Sequence, residues 1–311
     1  MKSKTIKAVL NKKFNDFLTS ILDEELRKEI KNGSIITGGA IPSMLLQEPV
    51  NDYDVYFTTH DLALRVAQYY VKLFNETKSP AIPLYVENKD NRVKIIAKSA
   101  GIISENDQGT YQYFETIAEA QNYKIAEYVD TVMGLEKPAD VDTKPAYRPV
   151  FMSCNAITLS DKMQLVIRFT GEPDEIHKNY DFVHCTNYWT SKDNHLELRK
   201  EALESILTKE LLYTGSLYPV CSVIRTRKFL HRGWTINAGQ YLKMCMQISQ
   251  LDLTDFNILS EQLVGVDTAY FCELLDKLQK FYIEENDSSI FAIELDKINW
   301  HISIVNNIFT H

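Results

Sequence analysis

The stretch IITGGAIPSMLLQEPVNDYDVYF, residues 35–57, joins two apolar runs through a pair of glycines and a pair of aspartates. The β-branched run SIIT (34–37) predicts a buried strand, AIPSMLLQ predicts a short helix with Pro42 in its first turn, and DYDVYFTT predicts a second strand. Residues two apart in a strand share a face, so Asp52 and Asp54 point to the same side of it. Carboxylates this close repel each other, and a cation normally offsets the repulsion.

The glycine pair, Gly38 and Gly39, falls where the first strand gives way to the helix. Bare backbone N–H groups and the positive end of a helix can approach a phosphate closely at such a junction. Mg²⁺ prefers carboxylate oxygens together with substrate phosphates, so the aspartate pair fits a divalent metal. Each feature also has a simpler interpretation, an exposed strand end for the aspartates and an ordinary tight turn for the glycines. Their combination in one short segment favours a phosphate-handling site.

The run GGA, a short helix ending in Leu45-Leu46, a loop and DYDVYF together resemble the signature of the DNA polymerase beta superfamily of nucleotidyltransferases. The likeness is strongest to the branch of poly(A) polymerases and CCA-adding enzymes. It implies that Gly38 and Gly39 hold the triphosphate of an incoming NTP. It also implies that Asp52 and Asp54 bind two Mg²⁺ ions, for which Mn²⁺ could substitute.

The chain departs from this signature directly after the glycines, where many members have Ser and this chain has Ala40. Ser43, one turn later, is either the replacement phosphate contact or only a helix cap. Members with three carboxylates carry the third in a later strand, as an Asp between apolar residues. The predicted strand YDFVHC (180–185) offers Asp181 as that third metal ligand and as general base for an attacking hydroxyl. Asp161 is the alternative, but it lies in a predicted hairpin turn, where Asp is favoured for local reasons.

The segment 155–185 also resembles a pattern of phage and large-virus relatives. In that pattern a hairpin ending in Arg, a short helix and a strand of the form apolar-Asp-apolar follow one another. Here the Arg is Arg168, and the resemblance adds it to the residues expected to contact substrate.

The segment 216–234 contains no acidic residue, and a helix would align its Arg225, Lys228 and Arg232 in one stripe. We expect Arg225 and Lys228 to contact the triphosphate or an RNA phosphate, because Arg in particular suits bidentate phosphate contacts. The alternative is a solvated cationic face. The rings of Tyr188, Trp189 and Trp234 could stack on a base, although core packing is the commoner role of such rings, and His184 is expected to be a structural hydrogen-bonding residue.

The composition of the chain restricts its possible functions less than these motifs do. Eleven of the 42 acidic residues but only three of the 34 basic residues lie in 251–311, so the net charge of −8 belongs to that region and argues only weakly against broad nucleic-acid binding. The five cysteines form no CxxC pair, which is typical of reduced core thiols. No apolar run reaches membrane-spanning length, so the expected location is the cytoplasm, or the host cytoplasm for a viral chain.

The expected fold class is α+β, a small mixed-sheet nucleotidyltransferase palm followed by an all-helical C-terminal domain. The predicted divisions are N-terminal helices at 1–32, the palm at 33–194 with an insertion at about 99–148, and the helical domain at 195–311.

The expected function is template-independent transfer of a nucleoside monophosphate from an NTP such as ATP to an acceptor hydroxyl. The basic stripe favours an RNA 3′ end as acceptor. Two alternatives remain: modification of a protein or small molecule in a phage–host conflict, and a nonenzymatic nucleotide-binding relative.

Overall fold

A computed structural model describes residues 1–78, 83–89, 91–97, 146–152 and 155–253, together with 255, 258 and 262. Its helices are α1 (Ser3–Thr19), α2 (Glu24–Asn32), α3 (Ala40–Leu46), α4 (His60–Lys78), α5 (Pro173–His177), α6 (Lys200–Thr208), α7 (Pro219–His231) and α8 (Ala238–Ile248). Its strands are β1 (Ser34–Thr37), β2 (Tyr53–Phe57), β3 (Leu84–Lys89), β4 (Arg92–Ala97), β5 (Pro149–Met152), β6 (Ala156–Leu159), β7 (Met163–Thr170), β8 (Tyr188–Thr190) and β9 (His195–Glu197).

Seven strands form one sheet in the order β5-β6-β7-β2-β1-β8-β9, and β3 and β4 form a separate hairpin. The pairing of β2 with β7 is parallel, whereas the other pairs of the large sheet are antiparallel. The sheet is therefore mixed, and the expected α+β class is confirmed. The predicted β6–β7 hairpin turn is also present: residues 160–162 connect the paired Leu159 and Met163, and Asp161 and Lys162 both have positive φ.

One face of the sheet packs on α1, α2 and α4, and the main hydrophobic core lies between them. Helix α1 turns its apolar stripe inward through Ile6, Leu10, Phe14 and Phe17, as the i, i+3, i+4 spacing predicts. The ring of Phe14 meets Trp189 of β8 edge to face at 5.3 Å. The N-terminal helices thus share one core with the sheet.

Two sequence-based assignments are wrong. The predicted strand at 180–185 is instead a 3₁₀ turn at Val183–Cys185, preceded by a single bridge between Phe182 and Tyr213. Both edges of β1 are already paired, with β2 and β8, so no place remains beside β1 for a further strand. The all-helical domain is expected to begin at 195, but its first helix begins only at Lys200, because 195–197 pairs with β8 as β9.

Two further predictions lie largely or partly outside the described residues: the insertion at about 99–148 and the second half of the helical domain at 195–311. Within the described C-terminal part, helices α6, α7 and α8 follow the sheet. No helix among the described residues is long and apolar enough to cross a membrane.

Candidate functional site

The register between β1 and β2 brings the two halves of the motif together. Thr37 lies opposite Asp54, so the glycine turn that follows Thr37 starts beside the Asp54 side chain. Gly38 has φ +89°, and a Cβ placed on it would come within 2.8 Å of Asp54 Oδ2. Position 38 therefore requires glycine both for its backbone angle and for the close carboxylate.

The two glycines differ in what they offer a phosphate. The Gly38 N–H donates to the Cys185 carbonyl at 3.1 Å, so this N–H group is already engaged. Gly39 has φ −72° and immediately precedes α3, and no atom comes within 4 Å of a Cβ placed on it. The open side of the turn is therefore at Gly39.

The aspartate pair is electrostatically strained. Asp52 is exposed just before β2, and Asp54 is partly buried within it. Burial, followed by the negative charge of Asp52, raises the pKa of Asp54 well above its ordinary value, and the positive charge of Lys228 opposes this rise. Two hard oxygen ligands at one strand end suit a divalent cation chemically. Among the described residues, however, no group of three or more His, Cys, Asp and Glu side chains is arranged to hold a metal ion.

Asp181 is held by a cation of the chain itself. Arg225 Nη1 of α7 donates to Asp181 Oδ2 at 2.7 Å, with the Asp181 side chain 12% and the Arg225 side chain 34% exposed. Burial lowers the pKa of the Arg225 guanidinium, and the negative charge of Asp181 raises it. The effect of Asp181 is decisive, so the pKa of Arg225 is raised above its ordinary value. The predicted third carboxylate and the predicted phosphate-binding arginine are thus partners of each other.

The predicted basic stripe of α7 does face the candidate site. Besides Arg225 and Lys228, it presents Arg232, which donates to Ser43 Oγ of α3 at 3.3 Å and also pairs with Glu48. Lys209 reaches the same Glu48 carboxylate at 3.2 Å. The stripe therefore ties the helical part to the loop between the glycines and the aspartates, and Ser43 is buried beneath one of its arginines.

Arg168 is also anchored by protein groups. Its guanidinium bonds to Asn155 Oδ1 at 3.3 Å and to the Tyr218 hydroxyl, and it lies over the Tyr218 ring at 4.9 Å. The arginine thus connects β7 to the start of α7. Its predicted contact with substrate stays a prediction.

Sequence reasoning missed a cluster of rings beside the glycine turn, formed by Tyr56, His177 and Tyr180. Tyr56 follows Asp54 by two residues and so shares its face of β2, a signal that the period of a strand supplies. The Tyr180 ring lies 6.0 Å from Tyr56 and 5.0 Å from His177. No sequence pattern marks Tyr180 itself, because its position depends on the turn after α5.

The other aromatic candidates pack rather than stack on a ligand. Trp189 is in the main core and Trp234 is buried in a second cluster. His184 is only 1% exposed and lies 4.3 Å from Trp234 and 4.7 Å from Phe229. Neither of its ring nitrogens has a hydrogen-bond partner among the described residues, so its role is packing and not the expected hydrogen bonding. The cysteines that the structure describes, Cys185, Cys221 and Cys245, form no disulfide with one another.

Solved structures with a loosely similar backbone arrangement include CCA-adding enzymes. A complex of a CCA-adding enzyme with CTP gives a TM-score of 0.43 at 13% identity, covering 84% of this chain and 49% of that one. The Thermotoga maritima CCA-adding enzyme complexed with tRNA gives 0.38 at 10% identity, covering 76% and 45%. At such TM-scores the likeness is too loose to transfer a site or an activity.

Sequence comparison gives a firmer assignment. Gabija anti-defense 2 of Bacillus phage SPbetaL7 is 20% identical over 140 residues, which are 44% of this chain and 35% of that protein. The matched region thus spans about a third of the length of this relative. A family model described as "Gabija anti-defense 2 family protein" matches residues 8–209, more than half of the chain, including the glycine turn, the aspartate pair and Asp181. The chain therefore belongs to the Gabija anti-defense 2 family.

Proposed function

We propose that the protein is a metal-dependent nucleotidyltransferase that transfers a nucleoside monophosphate from an NTP to an acceptor hydroxyl. The observation that carries the proposal is the close packing of Gly38 against Asp54, with the cationic helix α7 facing the same site. A turn without side chains, a carboxylate pair and nearby cations are the parts that nucleotidyl transfer needs for positioning and charge stabilisation. The superfamily resemblance of the motif supports the same assignment.

In this proposal Asp52 and Asp54 hold the divalent ion, Mg²⁺ or Mn²⁺, since both present hard oxygen ligands at one strand end. The ion would supply Lewis-acid stabilisation of charge on the phosphates. Gly39 leaves room for the phosphates, and Lys228 lies where its charge acts on Asp54. A role of Asp181 as third ligand and general base stays a prediction, because its carboxylate is bound to Arg225 in this structure.

The proposed acceptor follows from the family and not from the basic stripe. Arg225 and Arg232 bind Asp181 and Glu48, so the stripe no longer favours an RNA 3′ end over other acceptors. Membership in the Gabija anti-defense 2 family favours the alternative of a phage–host conflict factor. We therefore propose that the acceptor hydroxyl belongs to a component of a bacterial defence system, with RNA 3′ ends as the second candidate.

The test is incubation of the purified protein with each α-³²P-labelled NTP and Mg²⁺ in lysate from cells that carry a Gabija defence system. Label in protein supports a conflict factor, and label in RNA supports 3′-end extension. Asp52→Asn and Asp54→Asn should abolish either signal. Asp61→Asn is the matched control, because its side chain is 96% exposed and it lies in the first turn of α4, outside the aspartate pair.

The same variants separate an enzyme from a nonenzymatic relative. Phage survival on cells carrying the defence system is measured with wild-type protein and with Asp54→Asn. If Asp54→Asn protects phage as well as wild type does, and no NTP label is transferred, the proposed activity is wrong.

A further inference from the structure

The hydroxyl of Tyr180 is a buried polar group that faces the glycine turn. It lies 3.6 Å from the position that a Cβ on Gly38 would occupy, on the side where Asp54 Oδ2 also approaches. The oxygen is buried, and it has no hydrogen-bond partner among the residues that the structure describes. The Tyr180 hydroxyl can therefore still donate a hydrogen bond to a ligand.

The remainder of Tyr180 is fixed firmly. Its backbone N–H donates to the His177 carbonyl at 3.0 Å, and its own carbonyl accepts from Thr214 Oγ1 at 2.9 Å. The ring lies against His177 and Tyr56, and His177 Nε2 is in turn 2.8 Å from Thr37 Oγ1 of β1. The hydroxyl is therefore held at one position beside the turn by groups on three separate segments.

Leaving a buried hydroxyl without a partner destabilises the fold, and native proteins rarely retain such a group without a reason. A phenylalanine at position 180 would keep every ring contact and avoid this cost. Burial, with smaller effects of Tyr56 and Asp54, raises the pKa of Tyr180 well above its ordinary value. The Tyr56 and Thr37 side chains lie near enough to act on this pKa, but neither has hydrogen-bond geometry with the hydroxyl, and Thr37 Oγ1 is already engaged with His177, Cys185 and Asn187. The group is therefore a neutral O–H that can donate, at neutral pH, to an anion in the turn.

We propose that Tyr180 is a ligand-binding residue whose hydroxyl donates to a phosphate oxygen of the nucleotide held at the glycine turn. This inference rests on the proposed nucleotide-binding function. Tyr180 adds a donor beside Gly38, and it compensates for the Gly38 N–H, which is bound to Cys185.

The test is the Tyr180→Phe variant of the full chain, with Tyr69→Phe as matched control. The Tyr69 hydroxyl accepts from the Leu22 N–H at 3.2 Å, away from the glycine turn. Thermal unfolding without ligand and the Kd of each nonhydrolysable NTP with Mg²⁺ are measured for both variants. We expect Tyr180→Phe to keep or raise the melting temperature and to weaken NTP binding about 10-fold, the loss of one hydrogen bond to a charged group. Tyr69→Phe should lower the melting temperature and leave the Kd unchanged.

The outcomes separate this inference from the function on which it rests. If wild type binds NTP and Tyr180→Phe binds it equally well, the assignment of Tyr180 is overturned and the nucleotide site stands. If Tyr180→Phe lowers the melting temperature as Tyr69→Phe does, with no change in Kd, the hydroxyl is structural and the assignment is again overturned. If wild type binds no NTP in the presence of Mg²⁺, the proposed function fails, and the assignment of Tyr180 fails with it.

Discussion

Breaking the ion pair between Asp181 and Arg225 is the sharpest test of how α7 is attached to the candidate site. At 2.7 Å and an effective dielectric constant of about 20, the Coulomb attraction of two unit charges is roughly 6 kcal/mol. Desolvation cancels most of this gain, and about a third of the Arg225 side chain is still exposed to screening water. We therefore expect a net coupling energy of about 2 kcal/mol, below that of a fully buried pair.

The assay is a double-mutant cycle in urea, with Asp181→Asn, Arg225→Met and the double variant. Each single variant leaves one partly buried charge without its partner, so each should cost about 2–3 kcal/mol of unfolding free energy. The double variant should cost less than the sum of the two by about 2 kcal/mol. If the two costs add to within about 0.5 kcal/mol, the pair does not couple and this reasoning is refuted. Arg225→Lys is a useful control, because it keeps the charge but loses the guanidinium geometry.

Three further perturbations test other features. Gly38→Ala should destabilise by at least about 1–2 kcal/mol, from its positive φ and from the contact with Asp54, whereas Gly39→Ala should cost less than about 1 kcal/mol; urea midpoints compare the two. Burial lowers the pKa of His184 from 6.5 to about 4, so the unfolded chain takes up this proton first as the pH falls. Unfolding free energy should drop by about 2 kcal/mol from this group between pH 7 and pH 5, and urea titrations of His184→Phe should lack that part of the drop. Glu48→Gln, which removes the carboxylate between two cations, should lower the unfolding free energy by about 1–2 kcal/mol in the same assay.

The local part of the fold could be predicted because its signals are local. In residues 34–57 the secondary structure of each element is indicated by residues within that element. These are the β-branched residues of β1, Pro42 at the start of α3 and the alternation of side chains in β2. The prediction that Asp52 and Asp54 share one face follows from the strand period alone. In the structure β2 begins at Tyr53, so Asp52 lies just before it. The stripe on α7 follows in the same way from the helix period, and only the direction in which it faces needed the structure.

The partners of these residues could not be predicted, because they depend on contacts between distant parts of the chain. Asp181 and Arg225 are 44 residues apart, and no periodicity links a turn to a helix across that distance. Residues 180–185 alternate like a strand, yet a strand forms only where a neighbouring edge is free, and β1 has none. Tyr180 was missed for the same reason, since its place beside Gly38 is set by the turn that replaced the predicted strand.

The parallel pairing of β2 with β7 has a consequence for how the chain reaches its folded state. Tyr53 pairs with Met163, and β1 on the other side of β2 closes against β8 at 188–190. Pairing between strands that are far apart in the sequence makes folding slow, and such pairs tend to form late. During synthesis, β2 can have both its neighbours only once residue 170, the end of β7, has emerged from the ribosome. Strand β1 can have its second neighbour only once residue 190, the end of β8, has emerged. A nascent chain that is shorter than this contains the whole motif but lacks the structure that positions it.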